Sequence, residues 1–328
     1  MATRLIEAPS AELASLQGRA LVESIRSSAG RTVAAEIVAF TPPLVDGVCN
    51  AGLCAILGAD MVHVNHYDVE KPLIAGLPST DEGVKLWTEV GLHVAPTSQV
   101  EAPVRGFLSK LGLGVTIQAL RIRIGCVVGV SLEVVADDSS TPAGRLATPE
   151  TAAKAVEQGA AYITLVGTPG LTPQMLQANV RQLRRELGQE VVLVAGRMPW
   201  GGLRPGKPAF LGAPEIEALV ADGADMVMLP MPGTVPGASL EAIAGLVDLA
   251  HQAGALAQVT IGTSQESAGV ETVGRLALDG KLTGADVFQI GDGGYGGMSI
   301  PDNILAFAIA IKGKRHTYKR MASTSERQ

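Results

Sequence analysis

The sequence predicts an α/β chain folded as a (β/α)8 TIM barrel, and three observations carry that prediction. Eight short, nearly continuous apolar runs alternate with helical patterns, which is how the strands of a parallel sheet buried on both faces read. A recurring element enters every second run: Gly58-Ala59-Asp60, Gly159-Ala160-Ala161, Gly223-Ala224-Asp225 and Gly284-Ala285-Asp286. The last run opens into five glycines within seven residues, Gly291 to Gly297, just before a helix start. An open doubly wound sheet would leave edges and seldom yields eight evenly spaced units.

Taken in order, residues 10–28 read as an amphipathic helix, with Leu13, Leu16, Leu21 and Ile25 apolar and Ser10 as its cap. Placed before the first strand, this helix is expected to plug the bottom of the barrel. The predicted strands are 32–40, 60–66, 126–135, 161–167, 190–197, 225–230, 257–262 and 286–291. Each repeat glycine can end the preceding helix in the left-handed conformation. Thr148-Pro149 and Thr172-Pro173 each supply a cap and a first-turn proline. The remaining helices are expected at 239–253, 267–278 and 301–312, the last capped by Ser299. Two connections exceed simple crossovers, after strand two (67–125, with a helix near 81–90) and after strand five (198–213). Long ordered loops of this kind are often lids or subunit contacts. The domain plan is thus an N-terminal helical extension over 1–30, the barrel over 31–321 and a flexible tail over 322–328. The basic run Lys312 to Arg320 reads as a solvated end.

Bulk properties narrow the function. The chain has 328 residues, 47% hydrophobic, so one large core is affordable. A net charge of −6 and only 3% aromatics argue against nucleic acid or anionic membrane as partner. Cys49, Cys54 and Cys126 lack metal-ligand spacing, and a sparse odd count suits reduced thiols in a cytoplasmic protein. No apolar run is long enough to span a bilayer. The expected partner is a small anionic metabolite, and the chain is expected to form a homo-oligomer.

Active sites of this fold lie at the C-terminal ends of the strands. Alternation along the strands turns Asn65, Glu133, Thr164, Arg197, Thr260 and Gln289 toward the interior. Glu36, a carboxylate in a buried strand, needs a partner or a function; Arg197 is the candidate partner, and a general base is the candidate role. His66 and Asp68, at the end of strand two, are acid–base candidates. Glu133 is a second candidate base, and Asp68 with Glu133 is the pair on which a magnesium ion would sit. The loops after strands seven and eight offer an anion cup: Gly262, Thr263 and Ser264 from one, Gly291, Gly293 and Gly294 from the other. No predicted strand carries a lysine, which disfavours imine chemistry. The reading is an enzyme on a small phosphorylated carbohydrate-type metabolite, a lyase of non-imine retro-aldol type or an isomerase or epimerase. The alternatives are a magnesium-dependent lyase on an α-keto acid and a non-catalytic metabolite-binding barrel.

Several motifs also resemble an uncharacterised bacterial family of barrel proteins: Gly144-Arg145-Leu146-Ala147-Thr148, Pro232-Gly233-Thr234-Val235-Pro236-Gly237, Ile261 to Glu266, Ile290 to Gly297 and Gly313 to Tyr318. The likeness runs from Ser24 to Met321. Members of that family are often labelled haloacid dehalogenase-like hydrolases, a label that implies an Asp-x-Asp pair on an early strand; none occurs near a strand end here. More broadly the chain is similar to phosphate-binding TIM barrels. It is more faintly similar to the phosphoenolpyruvate mutase and isocitrate lyase group, without the Lys-Lys-Cys-Gly-His type loop of the lyases.

Overall fold

The computed structural model describes residues 3–89, 109–135, 140–167, 171–197 and 210–325. Eight parallel strands close on themselves in sequence order. They are β1 (Thr32–Val38), β2 (Met61–Asn65), β3 (Val127–Val134) and β4 (Tyr162–Gly167), then β5 (Val192–Gly196), β6 (Met226–Pro230), β7 (Leu256–Ile261) and β8 (Val287–Ile290). All eight predicted strands are present, with ends that differ by one or two residues and β7 starting one residue earlier than predicted.

Two buried layers follow from strand alternation. Odd-register side chains such as Val33, Ala35 and Ile37 pack outward against the helices, in one large cluster. The opposite set, including Ala34, Met61, Val127, Tyr162, Val194 and Met226, fills the lower interior. Leu5, Leu13, Leu21 and Ile25 join that inner cluster from below. The N-terminal segment is therefore the floor of the barrel. It is not one helix but two, Ser10–Leu13 and Gly18–Ser27. Ser10 does not cap: its hydroxyl donates to the Ser323 carbonyl, 2.9 Å away.

Thr148 and Thr172 cap their helices as expected, and Ser239 caps its own, each accepting a backbone N–H three residues on. The helix after β7 begins later than predicted, at Val270–Leu282, because a short turn at Gln265–Ser267 intervenes. Ser299 does not cap either; it donates to the Glu266 carbonyl at 2.6 Å and pins that turn. The final helix, Pro301–Ser325, breaks at Gly313, where φ is 74°.

That break corrects the reading of the basic run. Lys312 Nζ lies 2.7 Å from each carboxylate oxygen of Asp60, and Arg320 Nε donates to Oδ1 at 3.0 Å. Arg320 also donates to the carbonyls of Leu5 and Ala8. All three charged side chains are buried. The run is not a solvated end; two of its cations neutralise a carboxylate under β2.

The repeat gains a physical meaning from the same geometry. Asp60, Asp225 and Asp286 each accept the amide of the second residue of the preceding strand, from Val33, Leu193 and Ala257, at 2.9–3.0 Å. Each is also partnered by a basic side chain: Lys312 with Arg320, Arg184, and His251. The fourth copy has Ala161 instead, and there Arg121 donates to the Gly159 carbonyl at 2.7 Å.

Candidate active site

Above the apolar floor the inward positions turn polar. Register places Glu36 beside His63 and Ser131 beside Thr164. Two hydrogen-bonded chains line part of the upper barrel, one from β7 to β1 and one from β2 and β3 to the loop after β8. Gln258 donates to Thr260 (3.1 Å) and to Gln289 (2.9 Å), and Gln289 donates to Glu36 Oε2 (3.3 Å). Glu36 Oε1 stands 3.9 Å from His63 Nε2. His63 meets the Ser131 hydroxyl at 2.8 Å, Ser131 meets Asn65 Oδ1 at 3.1 Å, and Asn65 Nδ2 donates to Asp292 at 3.2 Å.

The second chain fixes a tautomer. Asn65 Oδ1 accepts the His66 N–H (2.9 Å) and the Ser131 proton. With its single proton used there, Ser131 must accept from His63, so His63 carries its proton on Nε2. Its Nδ1 is buried without a partner among the described residues. Burial pushes the imidazole down to about 4, so it stays neutral.

Glu36 is the most perturbed carboxyl of the mouth. Burial first, then the charges of Asp292 and Glu266, hold it well above the ordinary carboxyl range; the Gln289 amide offsets only part of this. Since both Glu36 and His63 favour their neutral forms, their 3.9 Å approach is not an ion pair. Glu266 is raised too, by burial and by Asp292, against the lowering effect of the Glu266 and Ser264 N–H groups. Its Oε2 is buried and unpartnered among the described residues. Three carboxyls thus share the β7–β8–β1 side of the mouth.

The predicted partner of Glu36 is not there. Arg197 shares strand parity with Ala195, which packs in the outer cluster, and among the described residues it makes no ion pair with Glu36. The cation of the mouth is Arg145, in the turn Ala143–Arg145 after β3. Its Nη2 bridges Glu133 Oε1 and His66 Nδ1, while Thr141 donates to Glu133 Oε2 at 3.1 Å. His66 sits in the left-handed region at φ 59°, with burial first and then Arg145 lowering its pKa. Asp68 folds back on its own loop, accepting the N–H groups of Glu70 (2.8 Å) and Lys71 (3.2 Å). With Glu133 on Arg145 and Asp68 on two amides, this pair does not fit a magnesium ion. Among the described residues no group of three or more His, Cys, Asp or Glu could hold a metal.

The two glycine loops do meet. A Cβ added to Gly291 would lie 2.7 Å from the Ile261 carbonyl, 3.3 Å from Gly262 Cα and 3.7 Å from Glu36 Oε2. They sit at the same end as Glu36. The N–H of Gly294 is already taken, by Asp292 Oδ1 at 2.7 Å. The Thr263 hydroxyl lies within hydrogen-bond distance of Gln265 Oε1 (2.8 Å) and the Thr234 carbonyl (3.2 Å). Gly293 and Ser264 lie in the left-handed region. Lys207 and the rest of 198–209 lie outside the described residues, as does 90–108. The buried lysine, Lys312, is at the wrong end for imine chemistry.

Sequence reasoning missed Arg145, Glu266, His63 and Ser131 as parts of one mouth. Arg145 and Glu266 carried a signal, since each is a charge inside a glycine-bearing motif. Fold and site together define a parallel (β/α)8 barrel whose mouth carries two hydrogen-bonded polar chains and a carboxyl group held above its ordinary pKa.

The chain belongs to the family described as "Domain of unknown function (DUF7916)", whose model matches residues 6–327. No curated protein matches it. Among solved structures it is similar to an archaeal fructose 1,6-bisphosphate aldolase, at 13% identity and TM-score 0.49 over 89% of this chain and 99% of that one. A putative fructose-1,6-biphosphate aldolase from Coccidioides immitis gives 12% and 0.48 over 95% and 98%. Tryptophan synthase from M. tuberculosis gives 15% and 0.46 over 90% and 98%. The strand pairing, rather than these distant likenesses, defines the fold. Among the described residues, no helix is long and apolar enough to cross a membrane.

Proposed function

We propose that this barrel is an enzyme that moves a proton on a small anionic carbohydrate-type metabolite, as an isomerase or epimerase or as a lyase that forms no imine. One observation carries the reading. Glu36 is largely buried, with 15% of its side chain exposed, is oriented by Gln289, leaves Oε1 without a hydrogen bond among the described residues, and sits where two neighbouring carboxyls raise its pKa. A carboxyl tuned upward from its ordinary range can both take and return a proton, which is what general acid–base catalysis requires. His63, neutral with its proton on Nε2, supplies a fixed dipole beside it.

Solvent exchange tests the proton transfer by itself, whatever the complete reaction. In D2O, the native chain is expected to wash deuterium into an acidic C–H of one or more ketose or aldose phosphates, read by mass spectrometry. Glu36→Gln should lower the exchange rate roughly 10²–10⁴-fold. Exchange that survives in the Gln variant would move the base elsewhere. Binding with no exchange would favour a non-catalytic metabolite-binding barrel.

A further inference from the structure

We infer that Arg145, together with His66, forms the oxyanion-recognition arm of the mouth: it takes the phosphate or carboxylate group of the substrate on the β2–β3 side, opposite the acidic β7–β8–β1 side. The inference rests on the proton-transfer reading for its substrate, but its geometry stands alone.

The guanidinium is only partly used. Among the described residues, Nη2 serves both Glu133 and His66, Nε is buried with no partner, and Nη1 makes no hydrogen bond. Donors of a side chain this sheltered, 18% exposed, normally find acceptors. An Arg whose sole task was to neutralise Glu133 would need no more than the edge it already uses. Nη1 is therefore a donor waiting for a ligand.

His66 adds a second donor. Its Nδ1 accepts from Arg145, so the neutral ring carries its proton on Nε2, which makes no bond to the described residues. The Phe40 ring, itself 58% exposed at the end of β1, lies 5.7 Å from the His66 ring. This gives the arm an apolar wall on which the carbon skeleton of a small metabolite can rest.

The arm is held rigidly from both adjoining loops. The Val69 N–H donates to the Gly144 carbonyl at 3.0 Å, and the Ala147 N–H donates to the Glu133 carbonyl at 2.9 Å. Asp68 Oδ1 occupies the space a side chain at Gly144 would need. Loops after β2 and β3 are thereby locked together with the guanidinium between them. Asp292 Oδ1 already holds the Gly294 N–H, so the glycine loops offer an oxyanion less than the Arg145 side does.

Equilibrium binding tests the arm. Inorganic phosphate and malonate would be titrated separately into the native chain and into Arg145→Lys, Arg145→Gln and Thr263→Val, by calorimetry and thermal shift. One or both anions should bind the native chain, and the Lys and Gln variants should bind at least tenfold more weakly; the Lys variant keeps the charge toward Glu133 and so guards against simple unfolding. Thr263→Val should bind as the native chain does. Phosphate alone binding identifies a phosphate reader and malonate alone a carboxylate reader, either of which supports the arm. Affinity unchanged at Arg145, affinity lost at Thr263, or no binding of either anion overturns it. Because no turnover is involved, Glu36→Gln should bind the anion normally, so failure of the arm and failure of the base are read apart.

Discussion

The two ends of this barrel treat buried carboxylates in opposite ways. At the bottom, Asp60 has two cations and a backbone amide, and Asp225 and Asp286 repeat the scheme with one basic partner each. At the mouth, Glu36 and Glu266 have neighbours of their own sign and no cation among the hydrogen-bond and ion-pair partners of the described residues. The contrast teaches which carboxyls hold the fold and which are held by it. A charge surrounded by compensation stabilises only through its partners. A carboxyl left uncompensated stays protonated and costs stability when it ionises, and such groups cluster at functional sites.

The sharpest way to break the comparison is to neutralise one carboxyl at each end. Asp60→Asn should cost about 3–5 kcal/mol in urea unfolding, because it leaves Lys312 and Arg320 buried without a counter-charge. Glu36→Gln, the same chemical change, should leave stability unchanged at acid pH and raise it at alkaline pH. Equal losses at both ends would erase the distinction.

The pH profile sharpens it further. Folding raises the Glu36 pKa, so its contribution is full below about 4.3, the ordinary glutamate value, and is lost as pH rises through the folded value. Folding lowers the His63 pKa from about 6.5 to about 4, so its contribution is full above the first value and lost as pH falls toward the second. That limb amounts to about 3 kcal/mol. The two run in opposite directions over an overlapping range and partly cancel. Glu36→Gln should expose the histidine limb, with stability rising from pH 4 to 6.5. His63→Gln should expose the glutamate limb, with stability falling as pH rises. Parallel profiles for the two variants would contradict both assignments. The smallest effect belongs between the ends: Tyr162→Phe removes a buried hydroxyl donating to the Val62 carbonyl at 3.0 Å and should cost about 1 kcal/mol by thermal unfolding.

The architecture was legible because buried parallel strands are apolar on both faces, and that signal is local. The repeat was legible as a helix stop, through its glycines, which all take positive φ. Its aspartates were not legible as clamps, because their partners lie on other elements. Lys312 and Arg320 show why: their composition matches a solvated tail, and only the partner 252 and 260 positions away makes them buried. The mouth was half legible. Glu36 stood out as a charge in an apolar strand. Arg197 was not legible, because a one-residue error in parity flips a side chain: Val192 and Val194 face inward, so Arg197 turns outward with Ala195. Arg145 sits in a loop turn, where side-chain direction follows no period at all. Ser10 and Ser299 looked like caps and instead tie remote backbone, since a serine hydroxyl serves either use equally well.

The Asp60 cluster has a consequence for how the chain is made. Asp60 leaves the ribosome long before the lysine and arginine that neutralise it. A partial barrel that closed early would trap a lone carboxylate in its base, at a penalty of several kcal/mol. Until the last helix is in place, the base of the barrel lacks the positive charge that matches Asp60, so the buried cluster is completed only by the chain's final helix.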